Sequence, residues 1–423
     1  MILGDRPFAE VGAPALAVRG AGLLAVAGSY DHDHGTAPVA VYDMGTLKCR
    51  ALLRARHPVC AMAFHPGLPL LAVGGGRYDG GYFFEGELRL LDLRTGEAAS
   101  LFEHPLGRQV LSLEWPDAQH LRLVLAPQDD WEDEAAWTEG HVATVFRPDW
   151  RSMPPEPVDG EVDGPRVAAP RVDGRACARH ELDRLSTAWD RRRNVRAIEV
   201  LPDGNIVATL DRVQKECWSP GGEKLWTAPG GGSAGPRGER SRLRIRRGRR
   251  IYRREAGADE PRGSWLAAAE LDEEPSRFRR ILPYSWDAGE AHFGGPGVET
   301  DDGDLVYAGT VYHGRGPQPG GSFVVRRDLA TGRPRWVFRT DRPATDLDAG
   351  CGTVFVGYDD GEIVALGLGD GTVSWRRGLV VAGIPAVPTA LTVTGHGRLL
   401  VGTSDGRILD YEAPGSGTTS GVR

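Results

Sequence analysis

The sequence predicts an all-β fold: a β-propeller of eight blades, with seven as the alternative count. Each blade is expected to be a four-stranded antiparallel sheet, with the ring closed by the N-terminal strand. Three observations predict it: an apolar strand pattern returning at nearly constant spacing, an abundance of turn formers, and a final unit one strand short of the others. The pattern occurs at Leu23–Gly28, Leu70–Gly75, Leu121–Ala126, Asn205–Leu210, Asp304–Gly309, Gly352–Gly357 and Gly397–Gly402, in steps of 47, 51, 84, 99, 48 and 45 residues. Four of these steps match a four-stranded blade of roughly 40–50 residues. The 58 Gly and 30 Pro supply the turns that many short strands need.

The two long steps have separate causes. The step of 84 holds one blade plus an insertion rich in Pro, Gly, Asp and Arg over residues 151–193, with a short helix near its end. The step of 99 holds two periods, so a weak, arginine-rich blade is expected over 230–287, with strands near Leu243, Arg250, Trp265 and Phe278. One such sheet cannot bury both of its faces alone; radial stacking solves this and leaves only short edges. Three strands remain at the C-terminal end before a tail, 415–423, that reads as disordered. Residues 1–12, through Arg6–Val11, are expected to add the fourth strand and cover the open edge. The whole of 1–423 is then one domain.

Composition bounds the function. Of the 423 residues, 40% are hydrophobic and 26% charged, as in a soluble globular protein, and no run of 18 apolar residues marks a membrane span. The first residues lack the basic start and apolar run of an export signal, so a cytoplasmic location is expected. Five scattered cysteines, never spaced as CxxC, suit a reducing compartment. Only three of the 51 basic residues are lysine, a bias expected of a GC-rich bacterial genome. The net charge of −7 gives no global reason to bind nucleic acid or anionic lipid.

Several motifs carry a resemblance. Ala61-Met-Ala-Phe-His-Pro66 with Leu70–Gly74, and Val200-Leu-Pro-Asp-Gly204 with Ile206–Ala208, resemble WD-repeat strands. The C-terminal half is similar to quinoprotein, PQQ-like propeller repeats, in Gly352–Gly357, Asp360-Gly361, Ile363–Leu366, Asp370-Gly371 and Trp375. Gly precedes Trp by four residues at Gly222/Trp226, Gly332/Trp336 and Gly371/Trp375, and Asp92-Leu-Arg-Thr-Gly96 matches Asp328-Leu-Ala-Thr-Gly332. In these turns Asp opens, Gly accepts a positive φ, and Trp packs between blades. The resemblance implies architecture rather than activity, because propellers serve as enzymes, ligand binders and scaffolds. Quinone-dependent members commonly carry adjacent cysteines and an export signal; this sequence has neither, so no cofactor is expected.

Strand parity puts the second-to-third-strand (b–c) loops of all blades on one face, and the long loops here are of that kind. They bear Tyr30, Asp31, His32, Asp33 and His34; Tyr78, Asp79 and Tyr82; Asp129, Asp130 and Trp131; and Tyr312 and His313. Aromatic side chains are common anchors of protein contacts, and the carboxylates favour a cationic or polar partner. The expected function is therefore a monomeric scaffold that docks another protein through this rim. The bland alternative is that these residues only cover the blade tops. Asp31-His-Asp-His34 has metal-ligating types, with His313 or Asp79 as further candidates, but two ligands from one loop do not make a site and no metal is expected.

Two other functions stand as alternatives. One is an enzyme or small-ligand binder using the central channel mouth. The other is nucleic-acid association through the ten arginines of 237–254, disfavoured because Tyr252 is their single aromatic neighbour. Arg242, Arg244 and Arg246 are expected on the solvated face of an outer strand, as plain surface or, alternatively, facing an acidic protein partner. No GxSxG, HExxH or Walker sequence occurs, and no catalytic residue is assigned.

Overall fold

The structure, a computed structural model, describes residues 1–31, 35–78, 84–101, 108–127, 139–151, 164–169, 174–190, 192–211, 214–229, 244–246, 250–256, 264–270, 279–283, 291–312, 317–395 and 397–411. The chain is all-β, of the β-propeller class, with eight blade sheets in chain order. It divides into two compact units, one of residues 6–192 and one of residues 1–5 with 193–423. The predicted tail, 415–423, lies outside the described residues.

The unit of residues 6–192 holds three sheets. The first comprises Pro14–Gly20, Leu23–Gly28, Ala37–Asp43 and Cys49–Ala55; the second Val59–Phe64, Leu70–Tyr78, Phe84–Asp92 and Ala98–Ser100; the third Val110–Glu114, His120–Leu125, Glu139–Phe146 and Arg166–Ala168. The last of these strands comes from within the expected insertion. Period-two alternation sorts the side chains. Ala25, Ala27, Val39 and Val41 pack toward Met62, Leu71 and Val73 of the second sheet, whose Leu88 and Leu90 pack with Leu121 and Leu123 of the third.

The opposite face of the first sheet, with Leu24, Val26, Ala40 and Tyr42, meets Phe8, Val11 and Leu182. Leu182 belongs to helix α1, Gly174–Leu185, which turns its buried i, i+4 pair Ala178 and Leu182 inward. The helix thus covers a sheet face that would otherwise be wet. Arg6 fastens the two ends of the unit, donating to the Arg192 carbonyl at 2.8 Å and pairing with Asp190 at 2.7 Å. His65, from the WD-like motif, has a structural role: Nδ1 accepts from the Gly67 and Leu68 amides, while Nε2 lies 3.0 Å from the Ala118 carbonyl.

The other unit holds five blade sheets and a two-stranded pair, Val380–Val381 with Ile384–Pro385. The fourth comprises Val195–Val200, Ile206–Leu210, Gln214–Trp218 and Lys224–Pro229; the sixth Ala291–Glu299, Leu305–Tyr312, Pro317–Arg327 and Pro334–Thr340; the seventh Ala344–Gly350, Thr353–Tyr358, Glu362–Gly367 and Val373–Gly378. The weak blade supplies Arg244–Arg246, Arg250–Ala256, Ser264–Glu270 and Arg279–Pro283, at the places the spacing predicts. Its last three strands pair with one another, whereas Arg244–Arg246 runs parallel to Pro296–Val298. This corrects the outer-strand assignment: Arg244–Arg246 pairs with the first strand of the sixth sheet, on the side away from that sheet's second strand.

The eighth sheet, Pro388–Val393, Leu399–Thr403 and Ile408–Tyr411, is completed from the N-terminus. The closing strand is Ile2–Leu3, with Ile2 opposite Leu409 and Leu3 opposite Ile408, and the Asp410 amide donates to the Met1 carbonyl at 3.0 Å. The expected segment Arg6–Val11 does not close it. Pro7 lacks an amide donor, Phe8 sits at φ 60°, and Ala9–Val11 form a 3₁₀ turn. Leu3 is buried with Val195, Ile206 and Trp218 of the fourth sheet and Ala390, Leu400 and Ile408 of the eighth.

Inner strands of this unit are tied by polar groups. Asp346 and Asp348 accept from the Leu391 and Val393 amides at 2.6 and 2.7 Å, and the Thr389 and Thr392 hydroxyls donate to the Val195 and Ile198 carbonyls at 2.9 and 2.8 Å. Polar side chains so buried must be hydrogen-bonded, and here each bond fixes the next sheet's position.

The recurrent turn also explains the Trp pattern. The amides of Leu47, Gly96, Gly332 and Gly371 return to the carbonyls of Asp43, Asp92, Asp328 and Gly367, each at 2.8 Å. The hydrogen-bonded Arg94 guanidinium holds the Asp92 carboxyl below its ordinary range. Trp336 packs directly over Gly371 and donates to the Leu368 carbonyl at 2.9 Å, joining the sixth sheet to the seventh. Trp375 lies 6.2 Å from the Tyr411 ring of the eighth sheet, whereas Trp226 is 44% exposed and makes no comparable dock among the described residues.

Two tests follow from this packing. Truncating Leu3 to Ala should cost about 2–4 kcal/mol, the range for a buried leucine, and lower the melting temperature; an unchanged transition would remove the closing role of this strand. Gly371→Ala places a Cβ 2.7 Å from Trp336 at φ +72°, so it should destabilise by about 1–3 kcal/mol. Gly369→Ala, with nothing within 4 Å, should stay within about 0.5 kcal/mol in the same denaturation series.

Candidate interaction rim

In the unit of residues 6–192 the three b–c connections sit at one continuous end. Ala37, where the first connection lands, pairs with Ala55, and the chain runs on to His57. The His57 amide donates to Glu87 Oε1 at 3.0 Å, at the start of the third strand of the second sheet. Gly86 beside it lies against the Arg108 carbonyl, and Arg108 Nε donates to the Ala126 carbonyl at 2.8 Å, where the third connection leaves. Neighbouring contacts thus link all three loop bases.

Each base is fixed locally. In the first loop, the Ser29 amide and hydroxyl both donate to the Ala13 carbonyl, and Asp31 bridges Thr36. Tyr30 and Asp31 are half-buried there rather than fully presented, because the bridge folds them back onto the sheet. His32, Asp33 and His34 lie outside the described residues. Among the described residues no group of three His, Cys, Asp or Glu side chains is placed to hold a metal.

The second loop is carried by a hairpin whose pairing reaches Tyr78 opposite Phe84. Arg77 Nε donates to Glu85 Oε2 at 2.8 Å directly across it. The glycines answer a packing demand: a Cβ on Gly86 would stand 1.9 Å from the Arg108 carbonyl, and one on Gly76 2.8 Å from Gln109 Cα. The next blade's entry segment crosses the hairpin where side chains would block it. Asp79 and Tyr82 lie outside the described residues, as do Asp129, Asp130 and Trp131 of the third loop.

His57 is a partly buried titratable group at this base. Burial pushes its imidazole below the ordinary value, opposed by Glu87 and Glu85 and reinforced by Arg77 and Arg56. Burial also raises the neighbouring Cys60 thiol, whose Sγ faces the Pro58 and Gly76 carbonyls.

In the other unit, Tyr312 ends the second strand of the sixth sheet opposite Pro317, and His313 lies outside the described residues. The b–c turns of the seventh and eighth sheets are tight, closed by Gly361 to Tyr358 at 3.1 Å and Gly406 to Thr403 at 3.0 Å. Sequence reasoning missed His57 and Arg108 and placed Arg77 and Glu85 within the second loop, whereas they pair across its hairpin. The run Gly74-Gly75-Gly76 with Gly86 was the available signal, since adjacent strands bare of side chains announce a close crossing.

No family model matches the sequence, and no curated protein matches it. Among solved structures, the chain is similar to BamB from Moraxella catarrhalis, at 13% identity and a TM-score of 0.24 over 94% of this chain and 96% of that one. It is also similar to the β-propeller domain of Myceliophteria thermophila Cps50 (Swd1), at 12% identity and a TM-score of 0.24 over 95% and 96%. The fold assignment stands on the eight sheets themselves.

Gly86→Ala tests the crossing. The added methyl should cost about 3 kcal/mol or more, since backbone rather than a flexible side chain opposes it. Amide exchange at residues 108–110 should rise with it; unchanged exchange and melting would mean the two segments are not held in contact.

Proposed function

We propose that the protein is an interaction scaffold that docks another protein through the b–c rim of the unit of residues 6–192. The observation that carries this reading is the contrast between connections. The first and third b–c connections in this unit are long, the second is five residues between Tyr78 and Phe84, and all three begin from fixed and mutually contacting bases and have acidic and aromatic sequences. The corresponding turns of the seventh and eighth sheets are tight. Long loops on a rigid base are suited to recognition, because little entropy is lost when the base is already ordered.

Tyr78, Tyr82 and Trp131 serve as aromatic anchors, with Asp79, Asp129 and Asp130 giving charge complementary to a cationic partner surface. Tyr30 and Asp31 contribute at the margin, consistent with their partial burial. His32, Asp33, His34, Tyr312 and His313 belong to the same proposed class of loop. The rim is favoured over an axial ligand site because Asp346, Asp348, Thr389 and Thr392 on the inner strands bond neighbouring backbone. We place this activity in the cytoplasm, where the five thiols, all free, remain reduced.

Affinity capture from the source lysate, followed by mass spectrometry, tests the reading. Wild type should retain a specific protein that a Tyr78→Ala/Trp131→Ala variant loses by at least about tenfold, the effect of removing one or two anchors. Equal capture by a folded double variant would overturn the assigned surface.

A further inference from the structure

The chain passes from one compact unit to the other twice, at Asp5–Arg6 and at Arg192–Arg193. In the unit of residues 6–192 the two ends lie side by side: Arg6 Nη2 donates to the Arg192 carbonyl at 2.8 Å, and Arg6 Nε pairs with Asp190 at 2.7 Å. In the other unit the two ends meet at one turn. Asp5 Oδ1 lies 3.5 Å from Arg407 Nη1, and the Asn194 amide donates to the Ser404 carbonyl at 2.9 Å. Ser404 and Arg407 both belong to the turn between Leu399–Thr403 and Ile408–Tyr411 of the eighth sheet. Neighbouring ends are what a segment needs to sit inside another fold without stretching it.

We propose that residues 6–192 are a guest domain inserted into a host of residues 1–5 and 193–423, and that the paired crossings are a two-strand hinge across which each unit opens without the other. The decisive observation is that each unit covers its own apolar faces. In the host, the closing strand returns to the eighth sheet before the chain leaves. Leu3, Ala390, Leu400 and Ile408 are then buried with Val195, Ile206 and Trp218 of the fourth sheet. The opposite face of the eighth sheet, with Leu391, Val401 and Leu409, packs on Phe355 and Ile363 of the seventh. The seventh sheet in turn sets Val354, Val356 and Val364 against Val306, Val324 and Trp336 of the sixth. Both faces of the seventh and eighth sheets are therefore covered from within the host.

The guest is equally self-sufficient. The face of its first sheet that turns away from the second is closed by Phe8, Val11 and Leu182. The covering helix lies close along the strand Pro14–Gly20: a Cβ on Gly174 would stand 2.7 Å from the Ala15 carbonyl, and Arg19 pairs with Glu181 one turn before the helix ends. At the far end of the three-sheet stack the outward face is polar. Glu114 and Arg122 pair across it at 2.8 Å, Thr144 is exposed beside them, and Phe146 packs on the His120 ring. An antiparallel sheet with one such face is stable against water. Units that bury separate cores lose them separately, so their openings are uncoupled. The rim proposed above then belongs wholly to the guest, but the hinge does not depend on that reading.

Amide exchange followed by mass spectrometry on the full-length chain tests the division. Leu3→Ala should speed exchange at least about tenfold in 195–210 and 388–411. It should leave 14–55 and 59–78 within about twofold, as distant independent sites do. Leu182→Ala should give the reverse pattern. Equal acceleration of both units by either variant would overturn the proposal, as would acceleration of neither unit by both. Leu3→Val and Leu182→Val, which remove less volume, should show the same split at smaller amplitude should an alanine variant fail to fold, and a shared response in them would count equally against it. The measurement uses no partner, so its outcome is separate from that of the capture experiment.

Discussion

A four-stranded antiparallel sheet with apolar residues on both faces has no stable place in water unless something covers each face, and this requirement organises the protein. In the unit of residues 6–192 the first sheet meets it asymmetrically: Ala25 and Val39 pack toward the second sheet, while Leu24 and Tyr42 are closed over by Phe8, Val11 and Leu182. In the other unit the fourth and eighth sheets meet it mutually, around Leu3, Val195 and Leu400. The closing strand is only two residues long, yet it places Leu3 between two sheets. Its contribution comes from apolar burial more than from two residue pairs of ladder.

Close packing of sheets creates a second demand along their inner strands. Backbone groups at such an edge lose water and need partners, and the chain provides them from side chains of the adjacent sheet. Asp346 and Asp348 take amides, and Thr389 and Thr392 take carbonyls, so donors and acceptors are matched by residue type. These inner-strand carboxylates are thus part of the frame that ties one sheet to the next.

The sequence made the repeat legible because alternation and turn chemistry are local. Asp92 and Asp328 with their +4 glycines, the Gly–Trp spacing at Trp336, and the arginine-rich strands at 244–246 and 250–256 all appear where period and composition indicate. What it concealed were decisions made by tertiary contact. Ile2–Leu3 closes the last sheet in place of Arg6–Val11, since two apolar residues with the right partners outweigh a longer segment broken by Pro7. Trp226 has the same spacing as Trp336 but not its dock, because spacing fixes the strand position and not the neighbour. Of the candidate rim, the loops were visible as acidic and aromatic insertions. Their base, built by His57, Glu87 and Arg108 from three separate stretches, was not.

That base links fold to function. A loop tethered at both ends to a hairpin inherits the hairpin's stability, and here the two sides of the hairpin are held by unlike forces. On one side, Gly76 and Gly86 admit the backbone of Arg108 and Gln109 so closely that the contact depends on shape alone and is indifferent to pH. On the other, Arg77, Glu85 and the partly buried ring of His57 depend on charge. Local stability in proteins is uneven, and segments that move are drawn from its weaker end. The sheet beneath does not share that dependence, because the core around Leu71, Val73 and Leu88, farther along the same strands, is held by apolar contacts.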